Sequence, residues 1–266
     1  MTSRLLMPYR RNGDGVTADA HEPVLGSTRP TATLDWEHPA VGALVERIPR
    51  SGDARESLRV AHGIIAREVR PVYSVDDLRR ASRTLKLGRG SCSQRMAVLE
   101  AVARAVGVPT RVRGLLVDGR FWYPRFPRLK PLVPEQVLLA WPEFLLEGQS
   151  DGQPDRRRDS QWVPIAELFG TLTELSEAGG FSNHGGETLF DAVARTAVDW
   201  DGTSAASCAG PGTACDLSAQ VRVDLGHFTS RDELFARHGQ TLCRPARTLA
   251  EPVLGRWSAG ARTVTG

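Results

Sequence analysis

The sequence predicts an α+β fold, and three observations carry that prediction. Residues 35–86 hold helix-length apolar patterns with few strand signals. A glycine-rich turn, Gly88-Arg89-Gly90, then runs into an apolar, Ala-rich helix that begins near Cys92 and stops at Gly107. Behind it come three strand-like runs, Thr110 to Val117, Val137 to Leu146 and Gln161 to Ile165. Helices grouped ahead of strands, rather than alternating with them, are the α+β pattern.

Taken in order, residues 1–34 are rich in Pro, Gly and Thr and read as a loosely attached arm. Helices are expected over His38–Ile48, Glu56–Arg67 and Ser74–Thr84, the last with a serine cap and Asp76-Asp77 in its first turn. Together with the thiol helix and its antiparallel strands they form a unit over 35–168. Residues 169–266 read as a mixed C-terminal part that completes the active site. It has a helix over 187–198, a strand over 217–225 and a helix over 230–238, where Ser230 and Glu233 make a capping box and Gly239 a stop. The Ser/Ala/Gly/Pro stretch 203–216 reads as a flexible lid or a plain linker, and Asp155–Asp159 as an exposed hairpin loop.

Composition narrows the function classes. The 266 residues suffice for a substantial core, and no apolar run approaches the ~20 residues of a membrane span. The polar start lacks the apolar centre of a signal peptide, so a cytoplasmic enzyme is expected. A net charge of +3 gives no reason to expect nucleic acid. Cysteines at 92, 208, 215 and 243 show no paired zinc spacing, and no metal or cofactor is expected. Seven arginines (89, 95, 111, 113, 120, 125 and 128) crowd the thiol segment. They suit an acidic carrier protein and its phosphopantetheine phosphate, or else a solvated basic face.

Cys92 is the sharpest feature. At a helix start, unpaired N–H groups and the helix dipole favour an anion, which lowers a thiol's pKa and makes it a nucleophile. The alternative is a small buried residue at a helix start.

The order of segments resembles the transglutaminase-like core of the papain-type thiol enzymes. In that family a cysteine heads a helix, and a turn like Gly107-Val108-Pro109-Thr110-Arg111 leads to a strand. A "H-A-W-x-E" strand then brings a histidine, and a "W-x-x-x-D" strand an aspartate. The resemblance covers about residues 85–168. This chain departs from it at two catalytic positions: Leu139, in Leu139-Ala140-Trp141-Pro142-Glu143, replaces the histidine, and Ala166 replaces the aspartate. A Cys nucleophile wants a base, and the base an orienting acid, so these would have to come from elsewhere. Asp118 is the candidate acid, at the end of the first strand; its alternative reading is an Asp-Gly hairpin turn.

The chain also resembles the Dieckmann cyclases that release tetramates and pyridones from polyketide–peptide assembly lines. These use a triad in the order Cys, Asp, His, and Cys92 and Asp118 match its first two members in order. The resemblance implies a peptidyl or acyl carrier protein as partner, a β-ketoacyl-aminoacyl thioester as substrate, and a downstream histidine as base. His227 is preferred, because it follows a strand and Gly226 with no cap or helix role to explain it. His238 is the alternate base, although the last turn of a helix already suits it, and His184 ranks third. Trp122 and Leu139 are the expected substrate-contacting residues, as wall of an acyl chamber. Another thiol acyltransferase (an amide synthase or thioester hydrolase) and an inert transglutaminase-like binding module remain the alternatives.

Overall fold

The computed structural model describes residues 7, 24–49, 53–147, 160–176, 180–181, 183–184, 186–203 and 216–259. Cys208, Cys215, the Asp155–Asp159 loop and most of the 203–216 stretch lie outside the described residues.

Among the described residues four helices come first. α1 (Pro39–Val45) starts with a proline, where no N–H partner is needed, and the His38 ring accepts Ala40 N–H. Asp53 caps α2 (Ala54–Glu68). α3 (Ala81–Leu87) ends at Gly88, whose φ of 55° is a left-handed helix stop. α4 (Cys92–Ala105) is the central helix: every residue from Gln94 to Arg104 is buried, and α1, α2 and α3 pack around it. Burial on all sides is why its apolar residues do not keep to one face, and its polar Gln94, Arg95, Glu100 and Arg104 are buried as well.

The sheet contains β3 (Thr110–Asp118), β4 (Gln136–Glu147), β5 (Ser160–Pro164) and β6 (Val221–Phe228), in spatial order β5-β4-β3-β6 and antiparallel throughout. A separate parallel pair joins β1 (Arg70–Pro71) to β2 (Arg89–Gly90), tying the end of α2 to the turn before α4. Later helices are α5 (Leu172–Ser176), α6 (Leu189–Ala192), α7 (Arg231–His238) and α8 (Arg244–Leu254). Side chains alternate across a strand, so the β3–β4 register sorts residues by face. Val112, Leu116, Leu138 and Ala140 share one face and pack with Leu234 and Phe235 of α7. Leu115, Val117, Leu139 and Trp141 share the other and belong to the main core.

The α+β class holds, with several local corrections. Residues 74–80 do not join the helix expected from Ser74. The Ser74 hydroxyl and Val75 N–H donate to Glu251, and Asp76 C=O accepts Gln94, so tertiary partners replace the cap. Of the helix expected over 187–198, only Leu189–Ala192 forms. α8 has no counterpart in the sequence reading; Pro245 sits harmlessly at its start, but Pro252 lies inside it. The arm is not loose over 24–34. Ser27 and Thr110 exchange backbone hydrogen bonds, Leu34 is fully buried, and Thr31 and Thr33 donate to Asp232. The C-terminal part likewise shares its sheet with the thiol core, because β6 is the strand beside β3.

His62 of α2 lies in the main core. Its ring stacks on Phe190 at 4.2 Å, and Nε2 meets Phe190 C=O at 2.6 Å, so that nitrogen carries the proton. Burial drives its pKa down to about 4, against the backbone hydrogen bond that favours the cation. The unfolded chain therefore takes up a proton near pH 6.5 that the folded chain refuses. This stability is full above that pH and is lost as pH falls toward 4, by about 3 kcal/mol. We expect His62→Leu to remove this component. Unfolding free energies of both proteins at pH 7.5 and pH 4 measure it, and equal losses would refute it.

Candidate active site

Cys92 is the first residue of α4, and local sequence puts it there. Ser91 is the N-cap: its hydroxyl accepts Gln94 N–H at 3.3 Å, and Gln94 Oε1 accepts Ser91 N–H at 3.1 Å. Gly90 is required because a Cβ there would sit 2.8 Å from the Thr84 methyl and 3.2 Å from Gln94. The Gln94 amide nitrogen reaches further, to Ser74 Oγ and Asp76 C=O, both at 2.6 Å. One glutamine thus fixes the first turn of α4 to the 74–77 segment.

The half-buried thiol does not have the lowered pKa expected of a helix start. Burial pushes it up; the Ser93 N–H, Arg95 and Arg125 work to lower it, and the Asp77 carboxylate works with burial. Both guanidiniums are held firmly. Arg95 is fully buried, lies 4.4 Å from the Phe190 ring centroid and pairs with Asp191 at 2.7 Å. Arg125 donates to Asn183 Oδ1 at 2.9 Å, to Ala259 C=O at 3.2 Å and to Glu187 C=O. Tyr73, Phe126 and Trp257 cluster edge-on beside it.

The residues replacing the family's base and acid are core. Leu139 is 5 % exposed and Ala166 2 %, in the same cluster against which Cys92 and Trp122 pack. Trp122 ends a short 3-10 turn, Gly119–Trp122, with its ring 4.7 Å from Phe121.

Asp118 and His227 are not brought together. The Asp118 carboxylate accepts Arg120 N–H at 2.8 Å and the guanidiniums of Arg120 and Arg222. Burial would raise its pKa, but these bonds outweigh burial and leave it at about 2. Nor is Asp118-Gly119 a tight hairpin: β4 begins only at Gln136, and Gly119 is needed because a Cβ would meet Pro134 C=O at 1.7 Å. His227 sits on β6 opposite Arg113, five residues back along β3 from Asp118, or about 16 Å. Strand alternation puts Asp118 and Arg113 on opposite faces.

The carboxylate on His227 is Glu143, the last residue of the Leu139–Glu143 sequence, with Nε2 to Oε1 at 3.1 Å. Its other oxygen accepts Arg111 Nε at 2.6 Å, and the Arg111 guanidinium stacks on Trp162 at 4.3 Å. Burial raises Glu143; His227 and Arg111 reverse that and hold it below the usual carboxylate range. Gly226, at φ 76°, serves the β-bulge where β6 slips register against β3. His238 lies in the last turn of α7, edge-on to Phe228 at 5.5 Å, where a structural role suffices. His184 is exposed and follows Asn183, a buried residue that links Arg125 to Phe121 C=O.

Two acidic residues without an expected site role stand near these side chains. Glu143, at the end of the Leu139–Glu143 run, is the carboxylate that holds His227. Asp77 lies in an irregular segment rather than in the expected acidic helix turn, and its charge works to raise the thiol. The arginine crowd is largely committed within the protein: Arg95, Arg111, Arg113, Arg120 and Arg125 all hold internal partners, while Arg128 is exposed. Among the described residues no group of three or more His, Cys, Asp or Glu is placed to hold a metal ion. No described helix is long and apolar enough to cross a membrane.

Comparison with known proteins agrees with this architecture. Residues 46–166 match the family model of the Transglutaminase-like superfamily. No curated protein and no solved structure shows a significant match to the chain. The segment from the end of α1 through the strands to Ala166 is thus a transglutaminase-like domain, a class generally made of cysteine-dependent enzymes. At the two positions where the resemblance leads one to expect a histidine and an aspartate, the chain has Leu139 and Ala166.

Proposed function

We propose that the protein is a cysteine-dependent acyl-transfer enzyme. In this reading it takes a β-ketoacyl-aminoacyl chain from a carrier protein and releases it by Dieckmann ring closure to a tetramate or pyridone. One observation carries the reading: a capped, half-buried thiol at a helix start, packed against an apolar cluster where the family's base and acid would stand. The Cys92 sulfur attacks the thioester carbonyl, and the N–H groups of the first turn of α4 face the oxyanion. The carrier thiol leaves. A base takes the proton between the two carbonyls of the acyl chain, the resulting carbanion attacks the acyl-enzyme carbonyl, and the proton is returned to the sulfur that departs. A C–C bond forms as the Cys92 thiolate departs. Holding both ends of one chain together supplies much of the rate. A dry wall at Leu139 and Ala166 favours this outcome, because water reaching the acyl-enzyme would give a linear acid. The decisive experiment incubates the protein with a β-ketoacyl-aminoacyl thioester and weighs the product. Cyclised product lacks the thiol without gaining water, a linear acid points to a hydrolase, and an unchanged thioester refutes acyl transfer.

Leu139→His tests the dry wall. It is expected to raise the ratio of linear acid to cyclised product without creating peptidase activity, since Ala166 offers no acid to orient the new imidazole. If Leu139 is only core, the change costs roughly 1–3 kcal/mol for an unpaired buried polar group and leaves the ratio unchanged. Melting temperature and product ratio from one sample separate the two.

A second reading, an inert transglutaminase-like binding module, draws on the raised thiol and on His227 being engaged by Glu143. Inertness of Cys92 to alkylation at neutral pH would favour it.

A further inference from the structure

Gln94, in the first turn of α4, is fully buried, and all four hydrogen-bonding positions of its amide are taken. Nε2 donates to Ser74 Oγ and to Asp76 C=O. Oε1 accepts Ser91 N–H and, at 3.0 Å, Arg79 Nη1. Turning the amide over would set donors against donors and acceptors against an acceptor, so one orientation fits. That orientation makes the capping box whose two residues, Ser91 and Gln94, bracket Cys92.

The orientation is set from α8. Glu251 is the only acid on that helix, and its carboxylate accepts the Ser74 hydroxyl at 2.9 and 3.0 Å, Val75 N–H at 2.9 Å and Arg79 Nη2. A carboxylate only accepts, so the Ser74 proton turns toward Glu251 and the Ser74 oxygen is left as an acceptor for Gln94. Arg79 makes the second link, with Nη2 on Glu251 and Nη1 on Gln94. Two glycines clear the space. A Cβ at Gly90 would stand 3.2 Å from Gln94 Oε1, and one at Gly255 would overlap the Glu251 carboxylate. Gly255 has a φ of −67°, which any residue adopts, so what glycine supplies there is room. We propose that Glu251 is a positioning residue for Cys92: through Ser74 and Arg79 it fixes the Gln94 amide, and through Gln94 it fixes the turn that carries the thiol. Among the described residues no hydrogen bond joins Glu251 to Gln94 itself, so its influence passes through these two intermediates.

The proposal rests on Cys92 being the reacting thiol of the proposed function but not on the substrate, so its test uses none. The full-length protein is treated with iodoacetamide from pH 6 to 10, and the Cys92 peptide is quantified by mass spectrometry apart from the other cysteines. The midpoint of rate against pH reports how well the helix start favours the thiolate, and the plateau reports access to the sulfur. The charges acting on the sulfur, Arg95, Arg125 and Asp77, stay in place in every variant. Glu251→Gln brings an amide that can donate to Ser74 where the carboxylate could only accept. It is expected to raise the midpoint and slow alkylation at pH 7 about two- to fivefold, the size of a helix-start effect on an anion, with the plateau unchanged. Ser74→Ala cuts one of the two links and is expected to move the midpoint the same way. In a Gln94→Ala background neither change should shift it further, because both act through Gln94. Leu254→Ala, at a half-buried position of α8 outside these hydrogen bonds, is the structural control. It is expected to lower the melting temperature and leave the midpoint in place. An unmoved midpoint in Glu251→Gln and Ser74→Ala, or an equal shift from Leu254→Ala, overturns the proposal. Shifts from Glu251→Gln and Gln94→Ala that simply add overturn it as well. Failure of the thioester assay alongside the expected alkylation curves would refute the acyl-transfer reading and leave the positioning role standing.

Discussion

Replacing Cys92 with alanine is expected to abolish turnover and leave the fold intact. The two halves of that expectation rest on different observations. The helix start does not depend on the sulfur, because Ser91 and Gln94 supply the capping box and Cys92 only occupies the first helical position. Alanine is the best helix former, and a half-buried sulfur gives up little packing, so we expect a stability change within about 1 kcal/mol. The chemistry has no such reserve. Under the proposed mechanism Cys92 carries the acyl group between two bond-forming steps, and removing a covalent nucleophile typically costs roughly 10⁴- to 10⁶-fold in kcat. Circular dichroism and melting temperature check the first half; product mass from the thioester assay checks the second. With wild type, a trapped acyl adduct should appear on the Cys92 peptide and not on those of Cys208, Cys215 or Cys243. Ring closure by a well-folded Cys92→Ala protein would end the covalent mechanism.

How much of this was legible in the sequence follows the range of the forces involved. The thiol helix and the first three sheet strands are set by short-range signals: the glycine-rich turn before Cys92, the stop at Gly107, and runs of β-forming residues between turns. Their observed bounds fall within a residue or two of those expected. The proposed triad depended instead on register and on partners far apart in sequence. Nothing local shows that β6 pairs with β3 so that His227 meets Glu143, 84 residues away. Nothing local shows that Arg222 closes on Asp118 across 104 residues. The thiol illustrates a contest of magnitudes. A helix start favours an anion by about 0.3–1 kcal/mol at exposed sites, whereas desolvation shifts a buried group by up to several pKa units. The sequence shows the helix start but not the burial, so the smaller effect was the visible one. Asp77 was misplaced for a related reason: Ser74 followed by acidic residues is a good local cap signal, and Glu251 and Gln94 override it from elsewhere in the fold.

The buried ion pair between Arg231 and Glu100 should be the most costly charge in the protein to disturb. Both side chains are 0 % exposed, one on α7 and the other on the central helix α4. Arg231 Nε donates to Glu100 Oε1 at 3.0 Å and Nη2 closes on the same oxygen, while Glu100 Oε2 has no hydrogen-bond partner among the described residues. A pair with one oxygen unsatisfied is a poor source of net stability, because desolvating two ions offsets most of their attraction. Breaking it is a different matter. Glu100→Gln keeps the volume but leaves a buried guanidinium facing a neutral amide, and is expected to cost about 3–5 kcal/mol. For a chain of this size that is roughly 6–20 °C in melting temperature. The double variant Glu100→Leu/Arg231→Met removes both charges and is expected to recover most of the loss. A Glu100→Gln variant destabilised by less than about 1 kcal/mol would mean that water reaches the pair.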